Sequence, residues 1–370
     1  MKQENADQRR ALQGMLEALW PGARLLKVSR FGVDEGSDDA ETTKGLGYGK
    51  PLLLDVGLVG GEERRLVFHT AAPNAFGHDR RSDRALEMLL AYDTFALVPH
   101  HAGACDVGAI AKSGDALVSL RDTGEFYLLS DFVPGHVYAD ELRNIAARGS
   151  LEARDRLLVE RLVDTLIDIH GEKIDAPVAY QRAIRDLVGS GEGIFGIIDG
   201  FPRDGQVRAE RLQRIEQAAV AWRWRLKTGE SRNRRTHGDF HPFNIIIDES
   251  DSPRLLDTSR GSVGDPADDV SCLAINFVFF ALGHRGAWKG ALRELWYGFW
   301  ERYQERSGDA QLLDVVAPFL AWRGLVLANP AWYPGLDPAH RDALLSLVEQ
   351  ALAAPRFDPA FAEGVFMEHP

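Results

Sequence analysis

A chain of 370 residues with 45% hydrophobic content can bury a large core, and its length suits two lobes better than one. Its 43 Lys and Arg against 55 Asp and Glu leave a net charge of −12. That balance excludes a general nucleic-acid surface, which needs a basic stripe to neutralise phosphates.

Residues 1–10 are charged and polar, without the apolar centre of a signal peptide. Leu12, Met15, Leu16 and Leu19 recur at helical spacing and predict an amphipathic helix over 7–19. A strand follows from Arg24 to Phe31, and the acidic, small-residue stretch Gly32 to Lys44 reads as a mobile loop. Gly45, Gly47 and Gly49 then alternate ahead of Lys50-Pro51 and a strand over Leu52 to Leu58. Glycines so placed let backbone amides approach nucleotide phosphates, and they equally suit a flexible hairpin turn. This is no Walker A loop, because Pro51 follows Lys50 where Ser or Thr is needed. A strand over Arg65 to Thr70 precedes a helix over Ser82 to Tyr92, with Leu86, Leu89 and Leu90 facing inward.

The two cysteines, Cys105 and Cys272, lie far apart without zinc or disulfide spacing, so both read as core thiols in a reducing cytoplasm. Phe126 to Gly135 reads as an apolar strand that stops at Pro134-Gly135. The rest is mostly helical. Leu151 to His170 places Leu158, Leu162, Leu166 and Ile169 on one face, with His170 as a cap or packing residue. A second long helix over 208–228 carries Trp222 and Trp224, both read as packing. Gly189 to Gly196 neither follows a strand nor opens a convincing helix, so it is expected as a flexible loop. Glu192 and Asp199 would be acids at a substrate mouth there. The longest apolar run, Cys272 to Gly283, is too short to span a bilayer and reads as a buried helix, so no membrane is expected. Trp296, Phe299, Trp300, Tyr303, Phe319, Trp322, Trp332 and Tyr333 read as the aromatic core of the final helices.

The chemistry concentrates between His237 and Asp257. His237-Gly238-Asp239-Phe240-His241-Pro242-Phe243-Asn244 is followed by Ile245-Ile246-Ile247, a polar turn over Glu249 to Pro253, and Leu255-Leu256-Asp257. Two short apolar strands so joined form a hairpin that returns Asp257 to face Asn244 across its base. An acid, an amide and a second acid in that order suit phosphoryl transfer. Asp239 would orient and deprotonate a hydroxyl, while Asn244 and Asp257 would hold Mg2+ on the phosphates of ATP.

With Gly264-Asp265-Pro266-Ala267-Asp268-Asp269 beyond it, this pattern resembles the aminoglycoside phosphotransferase and small-molecule kinase family. The resemblance implies an α+β, protein-kinase-like fold: an N-terminal nucleotide-binding lobe over 1–131 with a small antiparallel sheet, and a helical catalytic and substrate lobe over 132–370. It makes Asp239 the base, Asn244 and Asp257 the metal ligands, and Asp269 the acid that braces the catalytic loop. It implies adenine binding by the backbone of Ser130, Asp131 and Phe132 at a hinge. It also implies a phosphate-binding Lys on the third strand, held by a Glu on the next helix. Glu87 fits the helix position, but the strand position holds His69, a departure for which Lys50 could substitute.

Only eleven residues separate Asp257 from Asp269, too few for the peptide platform of a protein kinase. The expected enzyme therefore moves the γ-phosphate of ATP to a hydroxyl of a small molecule of antibiotic, sugar or amino alcohol type. Glu192, Asp199 and Asp268 lean slightly towards an amine-bearing acceptor. A monomer or homodimer is expected. The alternative is a kinase-like protein that binds nucleotide or metabolite with little or no turnover.

Overall fold

The computed structural model describes residues 2–30, 51–203, 205–258 and 260–366, and the chain divides into two compact units, 1–130 and 131–370. In the first unit, α1 (Lys2–Leu19) lies on an antiparallel sheet of β1 (Arg24–Arg30), β2 (Leu52–Gly57) and β3 (Glu63–Phe68), in that order. The alternation of side chains along a strand sends Leu54 and Val56 inward, where they meet Leu12, Leu16 and Leu25. Gln13 fixes the helix to the sheet, donating to the Ala23 carbonyl and accepting from Leu25 N–H. After β3 come α2 (Arg81–Phe95) and a two-stranded ladder of β4 (Gly108–Ile110) and β5 (Leu117–Ser119).

Three expectations fail in this unit. α2 contains no buried residue, and Leu86 and Leu90 are exposed. The periodicity marked an apolar face correctly but could not show that an element covers it. Phe126 to Gly135 forms no strand: Phe126, Tyr127, Leu128 and Leu129 stand in solvent. A strand needs a ladder partner for its N–H and C=O groups, and no described strand pairs with this run. Cys105 is exposed rather than in a core.

The second unit begins with β6 (His136–Val137), α3 (Tyr138–Arg148), α4 (Ala153–His170), α5 (Pro177–Gly189), α6 (Ile194–Asp199) and α7 (Ala209–Leu226). Next come β7 (Arg234–Arg235), β8 (Ile245–Ile247), β9 (Pro253–Leu255) and β10 (Val263–Gly264). The chain continues with α8 (Ala267–Leu282), α9 (Arg293–Ser307), α10 (Leu312–Val315), α11 (Ala317–Ala328) and α12 (Pro338–Ala353). Leu158, Leu162 and Leu166 of α4 join Trp296, Phe299, Trp300 and Tyr303 of α9 in one large core around α8. No described helix is long and apolar enough to cross a membrane.

Trp222 is buried but Trp224 is not. Two residues apart on a helix point to nearly opposite faces, so only one can reach the core. Trp224 instead lies under the Lys227 ammonium, 4.4 Å from its ring centroid. Trp332 is likewise exposed. The glycine segment 189–196 is tighter than expected. A Cβ on Gly196 would stand 2.0 Å from the Gly191 carbonyl oxygen, and the turn leads directly into α6.

Candidate active site

β8 pairs with β6 on one side and β9 on the other, and all three of its isoleucines are buried. Asp248 closes the hairpin by accepting from Ser250 N–H, Ser250 Oγ and Ser252 N–H. Register Ile245↔Leu255 places Leu256 opposite Asn244, and Leu256 N–H donates to the Asn244 carbonyl at 2.8 Å. Asp257 is the next residue along, at φ +54°, in the left-handed region that L side chains adopt at some cost.

Asn244 Nδ2 donates to both Asp239 Oδ2 and the Asp239 carbonyl, each at 3.1 Å. With its NH2 group so committed, Asn244 leaves Oδ1 as the atom for a cation. That oxygen and the Asp257 carboxylate are hard donors of the kind Mg2+ takes alongside phosphates and water, so the residues fit the ion. Among the described residues, His, Cys, Asp and Glu side chains form no cluster of three or more that would cage a metal by themselves.

The loop that carries Asp239 is held from behind. Asp269, fully buried near the start of α8, accepts His237 N–H at 2.7 Å and Gly238 N–H at 2.8 Å. Gly238 has φ +84°, and a Cβ there would stand 2.5 Å from the Gly261 carbonyl oxygen. His170, at the end of α4, bonds Asp269 through Nε2 at 3.1 Å and the Tyr303 hydroxyl through Nδ1 at 2.7 Å. Burial alone would raise Asp269; His170 and the two backbone N–H groups outweigh it and keep the carboxyl below its ordinary range.

Three arginines that sequence reasoning passed over shape the site. Arg323 on α11 and Arg260 on the loop after Asp257 both donate to Asp239 Oδ1, at 2.7 and 3.2 Å. Burial pushes Asp239 up, but the two guanidinium groups prevail and hold it below the usual carboxylate range. Arg323 also donates to Asp268 at 2.8 Å, and Arg260 to Glu192 at 3.1 Å. Burial pushes Asp268 up to about 6, with Arg323 opposing and Asp269 adding to the rise. Two of the three acids expected at a substrate mouth are thus paired with arginines. Asp199 is exposed on α6, where its charge adds to the burial that raises Glu216.

The third, Arg232, chelates Asp265 through Nε and Nη2 at 2.8 and 2.9 Å and Asp309 through Nη1 and Nη2 at 2.7 and 2.8 Å. Asp265 in turn accepts Ala267 N–H and so sets the first turn of α8, which carries Asp268 and Asp269. No periodicity or motif singles out an arginine whose partner lies so far along the chain. Cys272, one turn into α8, points its buried thiol at Asp239 Oδ1, 3.8 Å away. His241 is pushed down to about 4 by burial, against the pull of Asp239, and is therefore neutral at neutral pH.

The nucleotide-side expectations fare differently. Gly45, Gly47, Gly49 and Lys50 lie outside the described residues. His69 is exposed just past the end of β3. Glu87 faces His78, with Oε2 3.7 Å from Nδ1, a partner that the sequence did not suggest. Ser130, Asp131 and Phe132 are exposed and irregular, at the division between the two units.

The sequence profile of the family described as "Phosphotransferase enzyme family" matches residues 108–306. No curated protein matches the chain by sequence. Among solved structures, a choline kinase from Cryptosporidium parvum Iowa II is 11% identical, with 92% of this chain and 94% of that one covered and a TM-score of 0.36. An aminoglycoside-3'-phosphotransferase of type VIII is 17% identical, covering 88% and 98%, with a TM-score of 0.33. A choline/ethanolamine kinase family protein from Mesorhizobium loti is 13% identical, covering 99% of each chain, with a TM-score of 0.34. The fold is of the expected α+β class. The matched segment is more than half of the chain and contains Asp239, Asn244, Asp257 and Asp269, and the protein belongs to the phosphotransferase enzyme family.

Proposed function

We propose that the protein transfers the γ-phosphate of ATP to a hydroxyl of a small molecule of antibiotic, sugar or amino alcohol type. The observation that carries this reading is the pair of hydrogen bonds that Asn244 Nδ2 donates to Asp239, beside a hairpin whose second strand leads to Asp257. The closeness of these residues along one loop and hairpin supports a base and two oxygen donors acting together. Asp239, kept ionised by its arginines, accepts the proton of the acceptor hydroxyl. Asn244 and Asp257 hold Mg2+, which when bound neutralises charge on the phosphates. Asp269 and His170 keep the loop from shifting, since positioning supplies most of the rate in such reactions. This enzyme works in the cytoplasm as a monomer or homodimer, and its net charge of −12 suits a partner other than nucleic acid.

ATP consumption measured across a panel of hydroxylated metabolites and antibiotics tests this, with Asp239→Asn as the blank. At least one acceptor is expected to raise ATP consumption well above background, and the variant to lose at least about a hundredfold of that turnover. Turnover in the variant near the wild-type rate removes Asp239 from the role of base.

A further inference from the structure

α11 is an apolar helix with one charge in it. Its sequence, Ala-Pro-Phe-Leu-Ala-Trp-Arg-Gly-Leu-Val-Leu-Ala, is buried at every position but Val326, and Arg323 is itself only 6% exposed. Burying a guanidinium is costly, and replacing a whole buried ion pair by apolar side chains of similar volume is often neutral or stabilising. Arg323 Nε even remains buried without a hydrogen-bond partner among the described residues. A buried ion pair is thus weak evidence of a purely stabilising role.

Its contacts reach the proposed base. Nη1 donates to Asp239 Oδ1 at 2.7 Å, while Nη2 donates to Asp268 Oδ1 at 2.8 Å and to the Gly238 carbonyl at 3.2 Å. The guanidinium also lies 3.8 Å from the centroid of the Trp322 ring, which is anchored in turn by donating to the Glu192 carbonyl at 2.6 Å. Arg260 is a looser partner: its bond to Oδ1 is longer, its side chain is 30% exposed, and its Glu192 partner is 73% exposed. An ion pair that open to water exchanges readily. Arg323 is the fixed arm.

We propose that Arg323 is a positioning residue for phosphoryl transfer, aiming the Asp239 carboxylate so that Oδ2 takes the acceptor proton. Among the described residues, Oδ1 receives two N–H donors and the Cys272 thiol, whereas Oδ2 receives Asn244 alone and keeps a lone pair for the hydroxyl. In that step the acceptor oxygen forms a bond to the γ-phosphorus. The bond from phosphorus to the β,γ-bridging oxygen breaks with its electron pair going to ADP, and the hydroxyl proton passes to Oδ2. The inference rests on Asp239 being the base.

A double-mutant cycle tests it. Arg323→Met, Arg323→Lys, Asp239→Asn and the combination Asp239→Asn with Arg323→Met are compared at saturating Mg-ATP. The acceptor is the best one from the panel, or water through basal ATP hydrolysis if none is found. Arg341→Lys is the control, because Arg341 is a buried arginine that only ties the carbonyls of Ala328, Tyr333 and Leu336. Arg323→Met and Arg323→Lys are expected to lower kcat at least about tenfold per folded molecule while nucleotide affinity stays within about twofold. A lysine keeps the charge but cannot span two carboxylates and a carbonyl. On the Asp239→Asn background, Arg323→Met should change kcat by less than about twofold. An equal loss on both backgrounds, or a loss that merely follows the folded fraction as in the control, overturns the proposal. A full rate in Asp239→Asn alone overturns the base assignment and this inference with it. Loss in Asp239→Asn without loss in either Arg323 variant overturns this inference only.

Discussion

Asp269 accepts the backbone N–H groups of two successive residues, His237 and Gly238, immediately before the proposed base Asp239. A buried carboxylate thereby takes the place of a ladder partner for a loop that belongs to no sheet. Because folding lowers its pKa, Asp269 binds fewer protons in the folded chain than in the unfolded one. Its contribution to stability is therefore complete above the unfolded value near 4 and disappears as pH falls through the lower folded value. Asp269→Asn should lower stability at pH 7 by about 2–3 kcal/mol and flatten the acid limb of the pH–stability curve. Urea unfolding between pH 3 and 7 checks both. An unchanged acid limb removes Asp269 as its source.

Asp257→Ala should abolish magnesium-dependent binding of ATP, because it removes the carboxylate that would hold the ion together with Asn244. Calorimetry with and without Mg2+ measures this. Equal affinity for Mg-ATP in the variant and the parent places the metal elsewhere.

Arg232→Ala should cost about 3–5 kcal/mol, since it leaves Asp265 buried with no cation. The loss should reach function through the first turn of α8, which Asp265 sets and Asp269 occupies. Arg232→Lys should recover less than half of the stability, because one ammonium cannot chelate two carboxylates at once. A melting temperature within about 2 °C of the parent in Arg232→Ala contradicts the role.

Lys50 and His69 are the two candidates for the phosphate grip on the nucleotide side. Glu87, which would steady the base on β3, has His78 beside it in the structure, while His69 is exposed. Lys50→Ala is therefore expected to weaken ATP binding about tenfold or more, and His69→Ala to change it less than twofold, at both pH 6.5 and pH 8.5. A larger loss in His69→Ala, confined to the lower pH where imidazole is charged, assigns the grip to His69 instead.

The sequence alone determined what is local. Leu12 and Leu16, four residues apart, are buried because the helical period places them on one face, and the three consecutive isoleucines of β8 are buried because a continuous apolar run suits a central strand covered on both faces. The fold class followed from the resemblance, and the order Asp239, Asn244, Asp257, Asp269 was legible because the first three lie on one loop and hairpin and the fourth near the start of the next helix, all close together in the chain. Tertiary structure decided the rest. Leu86 and Leu90 stayed exposed because a pattern shows an apolar face and not whether something packs on it. The run from Phe126 to Leu129 formed no strand because hydrogen-bond partners for a strand come from elsewhere in the chain. Arg323 lies 84 residues from the Asp239 that it grips, and Arg232 lies 77 residues from Asp309. Only the packing of α11 against α8 brings Arg323 to the catalytic loop, and a charge on an apolar helix takes its meaning from what that packing places beside it.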